Sequence, residues 1–195
     1  HGNLRAELLE EAIEQLRDTP ADQLSLRAVA RALGVSQTAP YRHFDDKESL
    51  LAAIATRGYR ELLEVLQRAR QVAGDSGATQ LRAVARAYVD FAASEEHFFR
   101  LMFGPMVPPS TRHPELRTVS RDTLALVQAI LEHGMRRGEF GPQDVVYLAN
   151  AAWAGIHGVA TLRIDAPMLF RRHIDLTRQI DTAVDTFIAG ISRGA

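Results

Sequence analysis

The 195-residue chain contains no cysteine, which excludes a disulfide scaffold, thiolate catalysis and cysteine metal ligation, and suits a reducing compartment. The cytoplasm is the expected location. Net charge is nearly absent as well, 23 basic against 24 acidic residues, so any nucleic-acid contact must come from a local patch rather than from the total. Lysine is almost missing: Lys47 stands alone among arginines. Long apolar runs are scarce. The one uncharged stretch of spanning length, Val145 to Leu162, is rich in alanine and glycine and interrupted by Asn150, His157 and Thr161, so a buried helix is expected there and no membrane partner. Also missing are a phosphate-binding glycine loop, a nucleophile elbow, a zinc-protease motif and paired histidine–carboxylate spacing. No enzyme activity, metal or cofactor is expected.

What is there is helix. Apolar residues recur at a period near 3.6 along most of the chain with no run of alternating type, which predicts an all-α fold of about nine helices. Leu4, Leu8, Leu9, Ala12, Ile13 and Leu16 mark the first helix, closed by Pro20. Ser25 can cap a short second one with Leu26, Val29, Ala30 and Leu33 inside and Gly34 as its stop. Ser36 is expected to cap a third ending near Phe44. Asp45 with Glu48 reads as a capping box opening a long helix that runs to a Gly74–Gly77 linker. Beyond it come a helix through Tyr88, a short one capped by Ser94, a proline-rich loop, a helix from Pro114 to Arg137 stopped by Gly138, one started by Pro142, and a last one from Phe170 to Ile191. The expected organisation is a helix-turn-helix domain over residues 1–46, a connecting helix over 47–74, and an effector-binding and dimerisation domain over 75–195.

Two short helices joined by a turn of about three residues with a glycine form a helix-turn-helix, whose second helix enters a DNA major groove. Ser36, Gln37 and Thr38 would stand at the start of that helix and Tyr41, Arg42 and His43 a turn later. Amide and guanidinium groups reach adenine and guanine edges, while hydroxyls suit phosphate oxygens; a merely solvated polar face would show the same residue types. Lys47 falls at a helix start, the wrong end for a cation, and a phosphate partner would explain it. The segment Leu24 to Leu51, with Gly34-Val35-Ser36, then Tyr41 and His43-Phe44, then Lys47-Glu48 and Leu50, resembles the DNA-binding signature of TetR-family repressors. That resemblance implies that Tyr41, His43 and Lys47 anchor the phosphate backbone with help from Arg27, and that Gln37, Thr38 and Arg42 are the candidate base readers; Ser36 joins the DNA-binding candidates by its hydroxyl at the helix start. Pro40 departs from the family's usual leucine. It removes an amide donor and biases Ala39 away from helix, so this helix should start tightly wound or late. Across His1–Tyr59 there are seven basic residues against nine acidic ones, and a basic arm is expected ahead of His1.

In the body, Trp153-Ala-Gly-Ile-His-Gly158 resembles the Trp-His-Gly subgroup of the family. Trp153 and His157 share a helix face and could line a cavity or simply pack. Phe98, Phe99, Met102, Phe103 and Met106 are dense enough either to form core or to receive a ligand beside the proline-rich loop. The candidate effector residues are Phe99, Met102, Phe103, Val127, Trp153 and His157, for a small apolar or aromatic ligand. Small residues on the Trp153 helix and the apolar stripe of the last helix suggest a four-helix dimer seam including Ala152, Ile156, Ile180, Val184 and Phe187. The expected function is a homodimeric repressor that binds a pseudo-palindromic operator and is released by an effector. The alternatives are an activator, or a helical ligand carrier or enzyme whose helix-turn-helix no longer serves DNA.

Overall fold

The computed structural model describes residues 3–107 and 112–192. Among them are nine α-helices, one 3₁₀ helix and no strand. The chain forms two compact units, residues 1–60 with 97–120 and residues 61–96 with 121–195.

The first unit contains α1 (Leu4–Asp18), α2 (Leu26–Ala32), the 3₁₀ helix Ala39–Arg42 and the start of α3 (Lys47–Val72). It also holds most of α5 (Glu96–Phe103) and the start of α6 (Pro114–Arg136). Leu8, Ala12, Leu16, Val29, Ala30, Leu50 and Ile54 are buried together, as the period of each helix demands. α2 is framed as expected. Ser25 Oγ accepts from the Ala28 amide at 3.1 Å, and Gly34 takes φ +66°, letting the Val35 amide reach back to the Ala30 carbonyl.

α3 does not begin on the expected box. Asp46, not Asp45, is the cap: its Oδ1 accepts from the Ser49 amide and hydroxyl at 2.7 and 2.8 Å. Glu48 instead turns to Arg112 and His113, because a cation offers a carboxylate more than one amide does. α5 packs on α3 where Gly58 leaves room; a Cβ there would strike Met102 and Phe98.

The second unit is built on α4 (Gly77–Ser94), α7 (Val145–Asp165) and α9 (Leu176–Ser192), which pack on one another, with α8 (Pro167–Arg172) beside α7. Ser94 ends α4 rather than capping the next helix, its hydroxyl donating to the Phe91 carbonyl. Pro142 does not start α7; Asp144 caps it, accepting from the Val146 amide at 2.9 Å. The single last helix expected from Phe170 is two helices. Asp175 recruits the Arg178 amide at 2.7 Å and opens α9 afresh, a local bond that competes with continuing α8. α6 ends as expected: Gly138 at φ +72° sends the Glu139 amide to the Gly134 carbonyl at 2.9 Å, and Phe140 folds back over Gly134.

Most of α7 is not buried, contrary to expectation. Val146 and Leu162 are about half exposed and Tyr147 more so, although the helix is long and apolar enough to cross a membrane. Pro108 and Pro109, part of the expected entrance loop, lie outside the described residues.

Candidate nucleic-acid interface

The third helix of the head is a single 3₁₀ turn, Ala39–Arg42, rather than the α-helix expected from Ser36. The cause is Pro40, which has no amide to give and sits fully buried. Ser36 caps nothing; its hydroxyl lies 3.1 Å from that of Thr38. The turn is closed below by the His43 and Phe44 amides, both bonding the Pro40 carbonyl at 2.9 Å. Phe44 is buried under the Arg5 guanidinium, 5.2 Å from the ring centre. With Pro40 and Phe44 as inward anchors, the residues between are forced out. Ser36, Gln37, Thr38, Tyr41, Arg42 and His43 are all exposed, Tyr41 by 47%, and Arg27 is exposed on α2.

Arg17, Arg57, Arg60 and Arg112 each hold a carboxylate, on Glu14, Glu10, Glu115 and the Asp46–Glu48 pair. Arg27, Arg31, Arg42 and Lys47 have no carboxylate partner among the described residues. Their charge is left for something else. Arg31, a turn beyond Arg27 on α2, was not among the sequence candidates; its i+4 spacing from Arg27 is the signal that could have found it. Lys47 does have an internal contact, donating to the Asp22 carbonyl, so its placement at the first residue of α3 is not explained by an external anion alone. Arg112 neutralises the acids beside it. The Asp46 carboxyl is held down to about 2 by the Ser49 amide, the Ser49 hydroxyl and Arg112.

Phe99, Met102 and Phe103 belong to the first unit and Val127, Trp153 and His157 to the second. Phe99 and Met102 are buried, and the Phe103 ring lies tilted against Phe99, centroids 4.9 Å apart, and edge-on to Tyr59 at 5.6 Å. Trp153 and His157 converge on buried Tyr88: the indole donates to the phenol oxygen at 3.2 Å, and that oxygen lies 2.8 Å from His157 Nδ1. The indole can only donate, so the phenol oxygen accepts from Trp153, and its bond with His157 runs in the direction that the imidazole tautomer sets. Burial holds His157 below its ordinary value, so it is neutral near pH 7. Val127 stands half-buried on α6.

Of the seam candidates, Ala152, Ile156 and Phe187 are half-exposed, but Ile180 and Val184 are buried in the protomer. The stripe on α9 is spent on its own chain at those two positions, because α9 packs on both α4 and α7.

A cleft of about 640 Å³ opens in the second unit, lined by none of the six effector candidates. Leu63, Gln67, Arg70 and Gln71 of α3 form one wall, Gln80 of α4 and Asp122 and Leu126 of α6 the others. Residue pattern could not have found it, since its walls come from helices far apart in the chain.

Residues 8–54 match the family model described as bacterial regulatory proteins, tetR family, and residues 81–187 that of the tetracyclin repressor-like C-terminal domain. The HTH-type transcriptional regulator Rv1816 of Mycobacterium tuberculosis is 29% identical over 188 residues, covering 83% of this chain and 80% of its own. Among solved structures, a protein of unknown function from a Rhodococcus species superposes with TM-score 0.87 at 33% identity, over 99% of this chain and 97% of that one. The TetR family transcriptional regulator PfmR from Thermus thermophilus superposes with TM-score 0.69 at 23% identity, over 93% and 97%.

Proposed function

Because the chain belongs to the TetR family of transcriptional regulators and carries that family's DNA-binding helix-turn-helix, we propose that it is a cytoplasmic repressor whose dimer grips a pseudo-palindromic operator and lets go when a small effector binds. The observation that carries this is the outward polar face from Ser36 to His43, flanked by cations that no acid of the described chain neutralises. Tyr41, His43, Lys47, Arg27 and Ser36 serve the phosphates, and Gln37, Thr38 and Arg42 the base edges. A helix-turn-helix dimer meets two successive major grooves of one duplex face, which is why the operator should be two-fold.

Support for the dimer comes from α7. Its uncharged surface is left uncovered, and a Cβ on Gly155 or Gly158, or on Gly190 of α9, would meet nothing within the protomer. Helices of a second copy could approach closely there. Ala152, Ile156 and Phe187 would take part, without Ile180 and Val184. The grouping of Trp153, His157 and Tyr88 agrees with assigning the body to the Trp-His-Gly subgroup. The helix α3 runs from Lys47 in the first unit into the second, so it is the continuous element through which ligand in the body would reach the head.

The test is fluorescence anisotropy with a labelled duplex from the gene's own upstream region and a scrambled duplex of equal length. Gln37→Ala and Arg42→Ala should each lower the preference for the upstream duplex by about tenfold while changing scrambled binding little. Equal affinity of the wild type for both duplexes would refute the assignment.

A further inference from the structure

The cleft in the second unit has a built polar end. On α3, Leu63, Gln67, Arg70 and Gln71 are spaced i, i+4, i+7 and i+8, so they share one face. Gln80 is buried and its amide is fixed at both atoms: Nε2 donates to the Gly74 carbonyl at 2.8 Å, and Oε1 accepts from Arg70 Nε at 3.1 Å. That second bond occupies Nε and restrains the guanidinium plane, so the two terminal nitrogens, a fork that pairs with a carboxylate, remain for another partner of this cleft-lining residue. No carboxylate among the described residues pairs with Arg70. Leu63 and buried Leu126 give the cleft an apolar side, and its volume of about 640 Å³ suits a small organic molecule.

We propose that this cleft binds a small amphipathic monocarboxylic acid, its carboxylate on Arg70 and its apolar body along Leu63 and Leu126. Asp122 on the rim sets the charge selectivity. One negative charge is attracted by Arg70, whereas a second one meets Asp122, so a carboxylate is preferred over a phosphate dianion. Gln67 and Gln71 are left to hydrogen-bond a polar substituent. The proposal rests on the reading that the body receives the effector, and gives that effector a chemical class.

The test is isothermal titration of the full chain, free of DNA, with octanoate, 4-phenylbutyrate and salicylate, against 4-phenylbutyramide as neutral isostere and phenyl phosphate as dianion. At least one carboxylate should bind, and 4-phenylbutyrate should exceed both its amide and phenyl phosphate by about tenfold. Arg70→Gln should remove that preference and leave amide binding unchanged, with melting temperature as the check on folding. Asp122→Asn, at an exposed position, should tighten the carboxylate by about two- to fivefold. Silence of all three acids, equal binding of acid and amide, or a preference that survives Arg70→Gln overturns the proposal. Its failure is separable from failure of the regulator reading: DNA binding without acid binding sinks only this inference, and acid binding without DNA binding sinks only the other.

Discussion

Replacing Lys47 with alanine isolates the electrostatic part of DNA binding. Lys47 is half-buried at the first residue of α3, has one hydrogen bond, to the Asp22 carbonyl, and pairs with no described carboxylate. Its charge is therefore not already spent inside the protein. If each ammonium meets one phosphate, a dimer loses two phosphate contacts, and the slope of log affinity against log salt becomes shallower by about 1.8. The difference does not depend on how many other contacts each head makes. Between roughly 50 and 200 mM salt the wild type should thus lose about twelvefold more affinity than Lys47→Ala. The assay is fluorescence anisotropy of the upstream and scrambled duplexes across a potassium chloride series, and the change should be the same on both, since phosphates carry no sequence. Lys47→Arg should restore the slope. An unchanged slope in Lys47→Ala, or a change confined to one duplex, would refute the phosphate role; a loss that Lys47→Arg fails to rescue would assign the effect to the Asp22 contact.

Two more outcomes follow from the second unit. Gly134→Ala would normally gain up to about 1 kcal/mol in helix propensity, but its new methyl would overlap the buried Phe140 ring, and overpacking of this kind costs about 1–3 kcal/mol. Calorimetry should show a melting temperature lower by a few degrees, and an increase would mean that the ring yields. His157 is held below its ordinary value by burial, so the unfolded chain binds the proton more readily. Its contribution is complete above the unfolded value of 6.5 and is lost as pH falls below it. The wild type should lose more melting temperature between about pH 7.5 and 5.5 than His157→Asn does, and equal losses would show that the imidazole stays neutral for no energetic reason.

Helix content, most helix ends and the family were legible from residues alone, because each rests on short-range chemistry. Ser25, Gly34, Gly74 and Gly138 act on their own neighbours, and a 3.6-residue period names a buried face without naming what covers it. Pro40 is the clearest case: the missing amide was enough to foresee a tightly wound start to the helix, and the structure reduces the whole helix to one 3₁₀ turn. Where two local signals competed, distant residues decided. Asp45 and Asp46 are equally good caps in sequence, and it is Arg112 and His113, more than sixty positions away, that draw off Glu48 and leave Asp46 to cap. An apolar stripe likewise does not say whose surface it meets. On α9 it is divided, with Ile180 and Val184 packed at home and Phe187 half-open, whereas α7, the most apolar stretch, lies largely bare. The Arg70 cleft depended wholly on tertiary structure. A pocket is a relation among helices brought together by packing, and a guanidinium becomes a binding group only once a buried glutamine from another helix has fixed its plane.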